Sequence, residues 1–327
     1  MPSKQPLLLR LCLPVFLILG VGLSFASLST SDLSKETLES RYTNEASRFV
    51  QIDGNRVHYR DEGSGPAIVL LHGTASSLHT WDTWAEQLQG SFRIVRMDLP
   101  GFGLTGPDRL DRYEVSDDVR FLSDFLNTLN IEEAHLVGSS LGGRIAWQYA
   151  LEHPSQVKTL TLLNALGYQQ ESWPPAIELA QWPVIDQIME HVSPRFMYEI
   201  GLKEVYFDAS IVTDEVVDRY YELSRYPGNL SAFTRRVKAR LDQDEEHIAN
   251  LTLPSLILWG KEDIYFPVES GLKFSKDISK SELKIYAGIG HLPMEEAPNK
   301  SANDVSLFIS QHEAILKDTL SDASKSR

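Results

Sequence analysis

Hydrophobic and polar positions follow two patterns along this chain. Largely apolar runs of strand length recur at residues 67–71, 93–97, 134–137, 160–163, 255–259 and 283–286. Between them lie stretches with helical spacing, such as Val119, Leu122, Phe125, Leu126 and Leu129. Strands apolar on both faces, alternating with amphipathic helices, predict an α/β fold with a mainly parallel sheet covered on both sides. Ahead of them, residues 49–52 and 56–60 read as two short strands around the turn Asp53-Gly54-Asn55.

The rhythm breaks once. From 166 to 250 the pattern is helical throughout, with no run resembling a buried strand, and Trp173-Pro174-Pro175, Trp182-Pro183, Ser193-Pro194 and Tyr226-Pro227-Gly228 punctuate it. Thr213 before Asp214-Glu215-Val216 has the form of an N-cap with acids in the first turn. The expected organisation is a core of residues 48–165 and 251–316 interrupted by a helical cap, 166–250. A polar linker over 29–47 precedes the core, and a flexible tail over 317–327 follows it.

The first segment is of another kind. Lys4 and Arg10 precede an apolar run, residues 11–28, and no charge follows until Asp32. This is the pattern of an export signal. Two forms fit: a signal peptide cleaved near Ser24-Phe25-Ala26, or a retained membrane anchor, for which the run is just long enough. Positive charge before the run predicts the body outside the cytoplasm, either membrane-anchored or secreted or periplasmic after cleavage.

Charge narrows the partners. The chain has 31 Lys+Arg against 45 Asp+Glu, a net charge of −14. That excess of acid argues against nucleic acid as a partner, since tracking phosphates requires clustered cations. Its single cysteine, Cys12, lies in the first apolar run, which removes disulfides, thiolate catalysis and cysteine-ligated metals from the body. No metal-ligand spacing appears, and Gly101-Phe102-Gly103 is not a nucleotide loop. No cofactor or metal is expected.

The candidate chemistry lies at strand ends. Gly138-Ser139-Ser140-Leu141-Gly142 sits between a strand and a helix, where a tight turn holds the Ser140 hydroxyl exposed at the C-terminal edge of the sheet. A serine hydroxyl needs a base. Of nine histidines, His291 is the candidate, in the loop Gly288-Ile289-Gly290-His291-Leu292-Pro293 after the last strand. The base needs a carboxylate to fix its tautomer. Asp263, past the preceding strand, is preferred over its neighbour Glu262, and the end of the strand before the insertion offers only Asn164. Backbone N–H donors for an oxyanion are expected from Leu141 and from Thr74, with Ala75 as the alternative. His72 and Asp98 read as structural. Arg144 reads as half of an internal ion pair, with a substrate carboxylate as its other possible partner.

His72-Gly73, Asp98-x-Pro100-Gly101-x-Gly103, Gly138-x-Ser140-x-Gly142-Gly143, Gly260-x-x-Asp263 and Gly290-His291-x-Pro293 occur in that order. In these motifs, over about residues 48–315, the chain resembles the α/β-hydrolase fold family in its capped serine hydrolase (esterase and lipase-like) branch. The resemblance implies an eight-stranded sheet with helices on both faces and an all-α cap over the site. Ser140 stands where epoxide hydrolases and haloalkane dehalogenases of that family carry aspartate, which disfavours alkyl-enzyme chemistry. Leu292 follows the histidine where carbon–carbon hydrolases often carry tryptophan, and Thr105 replaces the serine typical of its turn. The expected activity is cleavage of a small, apolar carboxylic ester through an acyl-enzyme. The alternatives are hydrolysis of a carbon–carbon bond, an amide or a lactone by the same triad, and, in another class, ligand binding without turnover.

Overall fold

The computed structural model describes residues 31–170, 172–239 and 244–325. Eight strands form one sheet: β1 (Ser47–Ile52), β2 (Asn55–Gly63), β3 (Ala67–Leu71), β4 (Arg93–Met97), β5 (Ala134–Ser139), β6 (Val157–Leu163), β7 (Ser255–Gly260) and β8 (Ser281–Tyr286). Their spatial order is β1-β2-β4-β3-β5-β6-β7-β8. The first two strands join antiparallel, and every pairing from β4 through β8 is parallel. This is the α/β-hydrolase sheet with helices on both sides.

The apolar runs are explained by burial on two faces. Along β3, Val69 and Leu71 enter one core cluster while Ile68 and Leu70 enter the other, and all four are fully buried. The first cluster includes Val119, Leu122 and Phe125 of the helix Val115–Thr128, the residues whose spacing predicted it. The second includes Trp84 from the helix Asp82–Leu88 and Val305 and Phe308 from the last helix.

Register brings the strand ends together. Leu71 pairs with Gly138, so the turn after β3 lies beside the turn after β5. Leu163 pairs with Leu258 and Gly260 with Tyr286, which places the segments after β6, β7 and β8 side by side. Parallel strands all deliver their C-terminal ends to one edge, the usual location of ligand sites in open α/β sheets.

Between β6 and β7 the described residues form helices and no strand: Pro175–Ala180, Ile185–Met189, Arg195–Val205, Asp214–Ser224 and Asn229–Lys238. Thr213 caps the fourth of these, its Oγ1 accepting from the Val216 N–H at 3.4 Å. Two ion pairs tie the insertion to the core: the buried pair of Arg236 with Asp118, and the half-buried pair of Arg219 with Glu295.

The expected polar linker and the expected flexible tail are both corrected. Within 29–47, Lys35–Tyr42 is a helix capped by Ser34, and Leu38 is fully buried with Leu104, Leu223 and Tyr226. Arg41 and Tyr42 both bond Glu222, while Leu33 N–H donates to the Arg225 carbonyl at 2.9 Å. The segment is a strap against the insertion, because Leu38 and Tyr42, four residues apart on the helix, and Leu33 just ahead of its cap join one apolar cluster in an otherwise polar sequence. At the other end the helix Pro298–Lys325 runs through most of the expected tail. Residues 1–28 lie outside the described residues. Among those described, no helix is long and apolar enough to cross a membrane.

Candidate active site

Ser140 occupies a backbone conformation that non-glycine residues seldom adopt, φ +53° and ψ −116°, immediately before the helix Leu141–Glu152. Such strain persists only where the surroundings hold it. Here the Ser140 N–H donates to the Leu163 carbonyl at 3.1 Å, and its own carbonyl accepts from Arg144 and Leu166. The flanking glycines are a matter of space. A Cβ on Gly138 would lie 2.2 Å from the Gly142 carbonyl oxygen, and one on Gly142 would lie 2.2 Å from that of Leu71. The turn therefore presses against β3, and the Ser140 side chain faces the turn at Gly73.

His291 and Asp263 are joined. The Nδ1–Oδ2 distance is 2.6 Å, and the carboxylate is fully buried. Asp263 Oδ1 accepts from the Tyr265 and Phe266 N–H groups at 3.0 Å each, and Oδ2 accepts a second bond from Asn164 Nδ2 at 2.7 Å. Burial by itself would raise the Asp263 pKa; the charge and hydrogen bond of His291, with the two backbone donors, bring it below the ordinary value. Burial would likewise lower the His291 pKa, but Asp263 outweighs it and the net shift is upward. With Nδ1 committed to Asp263, Nε2 is the nitrogen left to exchange a proton.

Glu262 does other work. Its Oε2 accepts from Gly288 and Ile289 N–H at 2.7 and 3.1 Å, fastening the turn that leads to His291. Glu296 grips the next residues, accepting from Gly290 and Leu292 N–H. Two carboxylates thus hold the backbone of the histidine loop and a third holds the ring.

His72 and Asp98 are built into the adjoining turns. The Leu99 N–H donates to His72 Nε2 at 3.0 Å and His72 Nδ1 donates to the Gly73 carbonyl at 2.8 Å, which fixes a neutral tautomer. Burial lowers its pKa, in keeping with that state. Asp98 accepts from His58 and from the Leu78 and Leu104 N–H groups, and Thr105 Oγ1 donates to the Asp98 carbonyl. Arg144 pairs with Asp244 and lies over the Trp147 ring.

Ser140, His291, Thr74, Ala75 and Leu141 line one cavity of about 260 Å³. Leu141 opens its helix, so its N–H is among those without an intrahelical acceptor. The opposite wall comes from the insertion and is largely apolar, with Ile177, Met197 and Leu230 among its members. No Lys, Arg, Asp or Glu is found among the described residues lining the cavity.

Two features were not anticipated. Asn164, set aside as unable to serve as an acid, supports Asp263: it is fully buried at φ +40°, with Oδ1 accepting from Gly260 N–H while Nδ2 donates to the carboxylate. A polar residue directly after an apolar strand was the only signal. Glu295, two residues past Pro293, accepts from Thr80, Tyr206, Tyr220 and Arg219, so one core carboxylate anchors the insertion beside the cavity. Nothing in the linear sequence marks it.

A family model described as the alpha/beta hydrolase fold matches residues 66–205. Among curated relatives, an uncharacterized hydrolase of Bacillus subtilis is 28% identical over 266 residues, covering 80% of this chain and 97% of its own. A 2-hydroxy-6-oxo-2,4-heptadienoate hydrolase of Pseudomonas putida is 26% identical, covering 76% of this chain and 90% of its own. Among solved structures, a meta-cleavage product hydrolase from Pseudomonas fluorescens superposes with a TM-score of 0.72 at 25% identity, over 81% of this chain and 97% of that one. The family-model match and these neighbours are α/β-hydrolase fold enzymes, and the chain shares their fold. Within that fold it is a hydrolase enzyme.

Proposed function

We propose that the protein hydrolyses an uncharged carboxylic ester by way of an acyl-enzyme on Ser140. In this reading His291 Nε2 takes the Ser140 proton as Oγ attacks the carbonyl, then delivers it to the departing alcohol, and afterwards activates water to release the acid. Asp263 holds the tautomer and balances the imidazolium, and the Thr74 and Leu141 N–H groups receive the oxyanion. The observation that carries ester over a carboxylate-bearing carbon–carbon substrate is the lining of the cavity: apolar, with no Lys or Arg among its described residues to meet a substrate carboxylate.

Carbon–carbon hydrolysis is the second reading, and the relatives favour it over ester cleavage, since those with named substrates act on dienoates. The two differ in what the cavity must bind. A dienoate brings a carboxylate that needs a positive partner; a simple ester brings none. Side-by-side rates on p-nitrophenyl esters from acetate to palmitate and on a 2-hydroxy-6-oxo-dienoate decide between them. Faster turnover of the dienoate would overturn the ester reading.

A further inference from the structure

The apolar wall of the cavity is interrupted by hydroxyls, and they form a row. Ser76, Tyr220, Ser224, Tyr198 and Ser193 all line the cavity. Ser76 lies two residues past Thr74 on the same loop, and its Oγ donates to the Tyr220 hydroxyl at 3.4 Å. Tyr220 and Ser224 are four residues apart on the helix Asp214–Ser224, so they share a face about 6 Å apart along its axis. Beyond Ser224 the row passes to Tyr198, which hydrogen-bonds both Ser224 and Ser193, the latter at 2.9 Å. It starts at the loop of the oxyanion donor and ends just ahead of the helix Arg195–Val205.

The direction of the protons decides what this row can bind. The Glu295 carboxylate only accepts, so Tyr220 donates to it at 2.6 Å, and Ser76 donates to Tyr220. Ser224 Oγ donates to the Tyr221 carbonyl at 2.7 Å, so Tyr198 donates to Ser224 and Ser193 to Tyr198. Burial raises the Tyr198 pKa, which keeps that phenol protonated. With the hydroxyl protons committed along the row, what it offers to a ligand is oxygen lone pairs. A hydroxyl donates to them. A carbonyl or an ether does not, and an alkyl chain laid there would cover those oxygens without supplying a donor. An ammonium is also a donor, but no Asp or Glu is found among the described lining residues to balance its charge.

We propose that this row is a subsite for a neutral hydroxyl on the acyl chain, so that the substrate is an ester of a hydroxylated aliphatic acid. The acyl chain stays on Ser140 through both chemical steps, which makes it the part of the substrate that the cavity holds throughout. The proposal deepens the ester reading, and its activity arm rests on that reading; its binding arm requires no turnover.

Matched pairs of substrates test it. The p-nitrophenyl esters of straight-chain acids from hexanoate to dodecanoate are set against their ω-hydroxy counterparts. At each length the ratio of kcat/KM, hydroxylated over plain, is measured in the unaltered chain and in Tyr198→Phe, which keeps the ring that meets Tyr221 edge-on at 5.5 Å. The ratio should pass through a maximum at one chain length, and there Tyr198→Phe should lower it about tenfold, mainly through KM. Ser193→Ala, a second variant, should lower it about threefold at the same length. Ratios left unchanged by both variants at every length would overturn the proposal. Equal slowing of both esters is such a result, since it would make the hydroxyls supports of the wall alone. The binding arm uses Ser140→Ala and titrates alkanols and α,ω-alkanediols of the same lengths by calorimetry. Adding Tyr198→Phe should lower the diol-to-alkanol affinity ratio about tenfold, and an unchanged ratio would overturn the subsite. If the unaltered chain cleaves neither kind of ester, the ester reading fails and the binding arm decides the subsite by itself.

Discussion

The two walls of the cavity are built on different principles. On the sheet side, Ser140, Asp263 and His291 are each fixed by backbone: a strained turn wedged against β3, two N–H groups aimed at a carboxylate, and a loop gripped by Glu262 and Glu296. On the insertion side the wall is apolar helix surface, held to the core largely through side chains such as Glu295 and Arg236. Rigid backbone suits groups that must meet reacting atoms within a fraction of an ångström. Apolar helix surface sets size and shape, which can change without disturbing the chemistry. The difference predicts that substitutions on the first wall lower kcat, while those on the second change KM and chain-length preference.

The largest effect should come from Ser140→Ala: kcat on an activated ester falls on the order of 10⁶-fold with thermal stability retained. Residual turnover near the original rate would remove the nucleophile assignment. Asp263→Asn should cost about 10⁴-fold, through loss of the tautomer and of the charge that stabilises imidazolium. Asn164→Ala tests whether the newly seen support belongs to the same wall. It removes one of two donors to Asp263 Oδ2, so kcat should fall about tenfold at unchanged KM. A change in KM alone would assign Asn164 to binding instead.

Gly201 probes the opposite wall. It lines the cavity within the helix Arg195–Val205, and a Cβ there would meet nothing within 4 Å. Gly201→Phe should raise KM for long-chain esters about tenfold while leaving acetate nearly unchanged, read from a chain-length series. Equal losses on all esters would mean that the insertion shapes the chemistry as well as the fit.

The smallest effect is a shift of position. Because Asp263 raises the His291 pKa, the imidazole remains protonated, and unable to act as base, to a higher pH than a free histidine would. The acid limb of kcat/KM should therefore have its midpoint above about 6.5. Asp263→Asn, which removes that carboxylate, should move the limb to lower pH. A limb that stays in place would separate the pH dependence from this pair.

Much of this arrangement was legible in the linear text, and what was legible has a common reason. Local signals need only neighbours: fully apolar runs announced strands buried on both faces, and the Gly-x-Ser-x-Gly turn announced a tight strand-to-helix junction. The long helical pattern between two strands announced the insertion. The strap of residues 35–42 was missed because three apolar residues among many polar ones carry little weight until Leu104, Leu223 and Tyr226 are seen to enclose Leu38. Asn164 was dismissed for what it cannot do as an acid; its amide acts only because register sets β6 beside β7.

The sequence by itself determined the class of fold, the order of the strands along the chain and the residue types available for hydroxyl, imidazole and carboxylate chemistry. Only the tertiary structure decided between neighbours. It turned Asp263 rather than Glu262 toward His291, made Glu295 the anchor of the insertion, and left Phe196 and Ile200 exposed on its surface. Composition and periodicity specify which side chains are present and which face of an element they share. Direction across space depends on parallel register and on which backbone donors a loop happens to present, and those are properties of the assembled sheet.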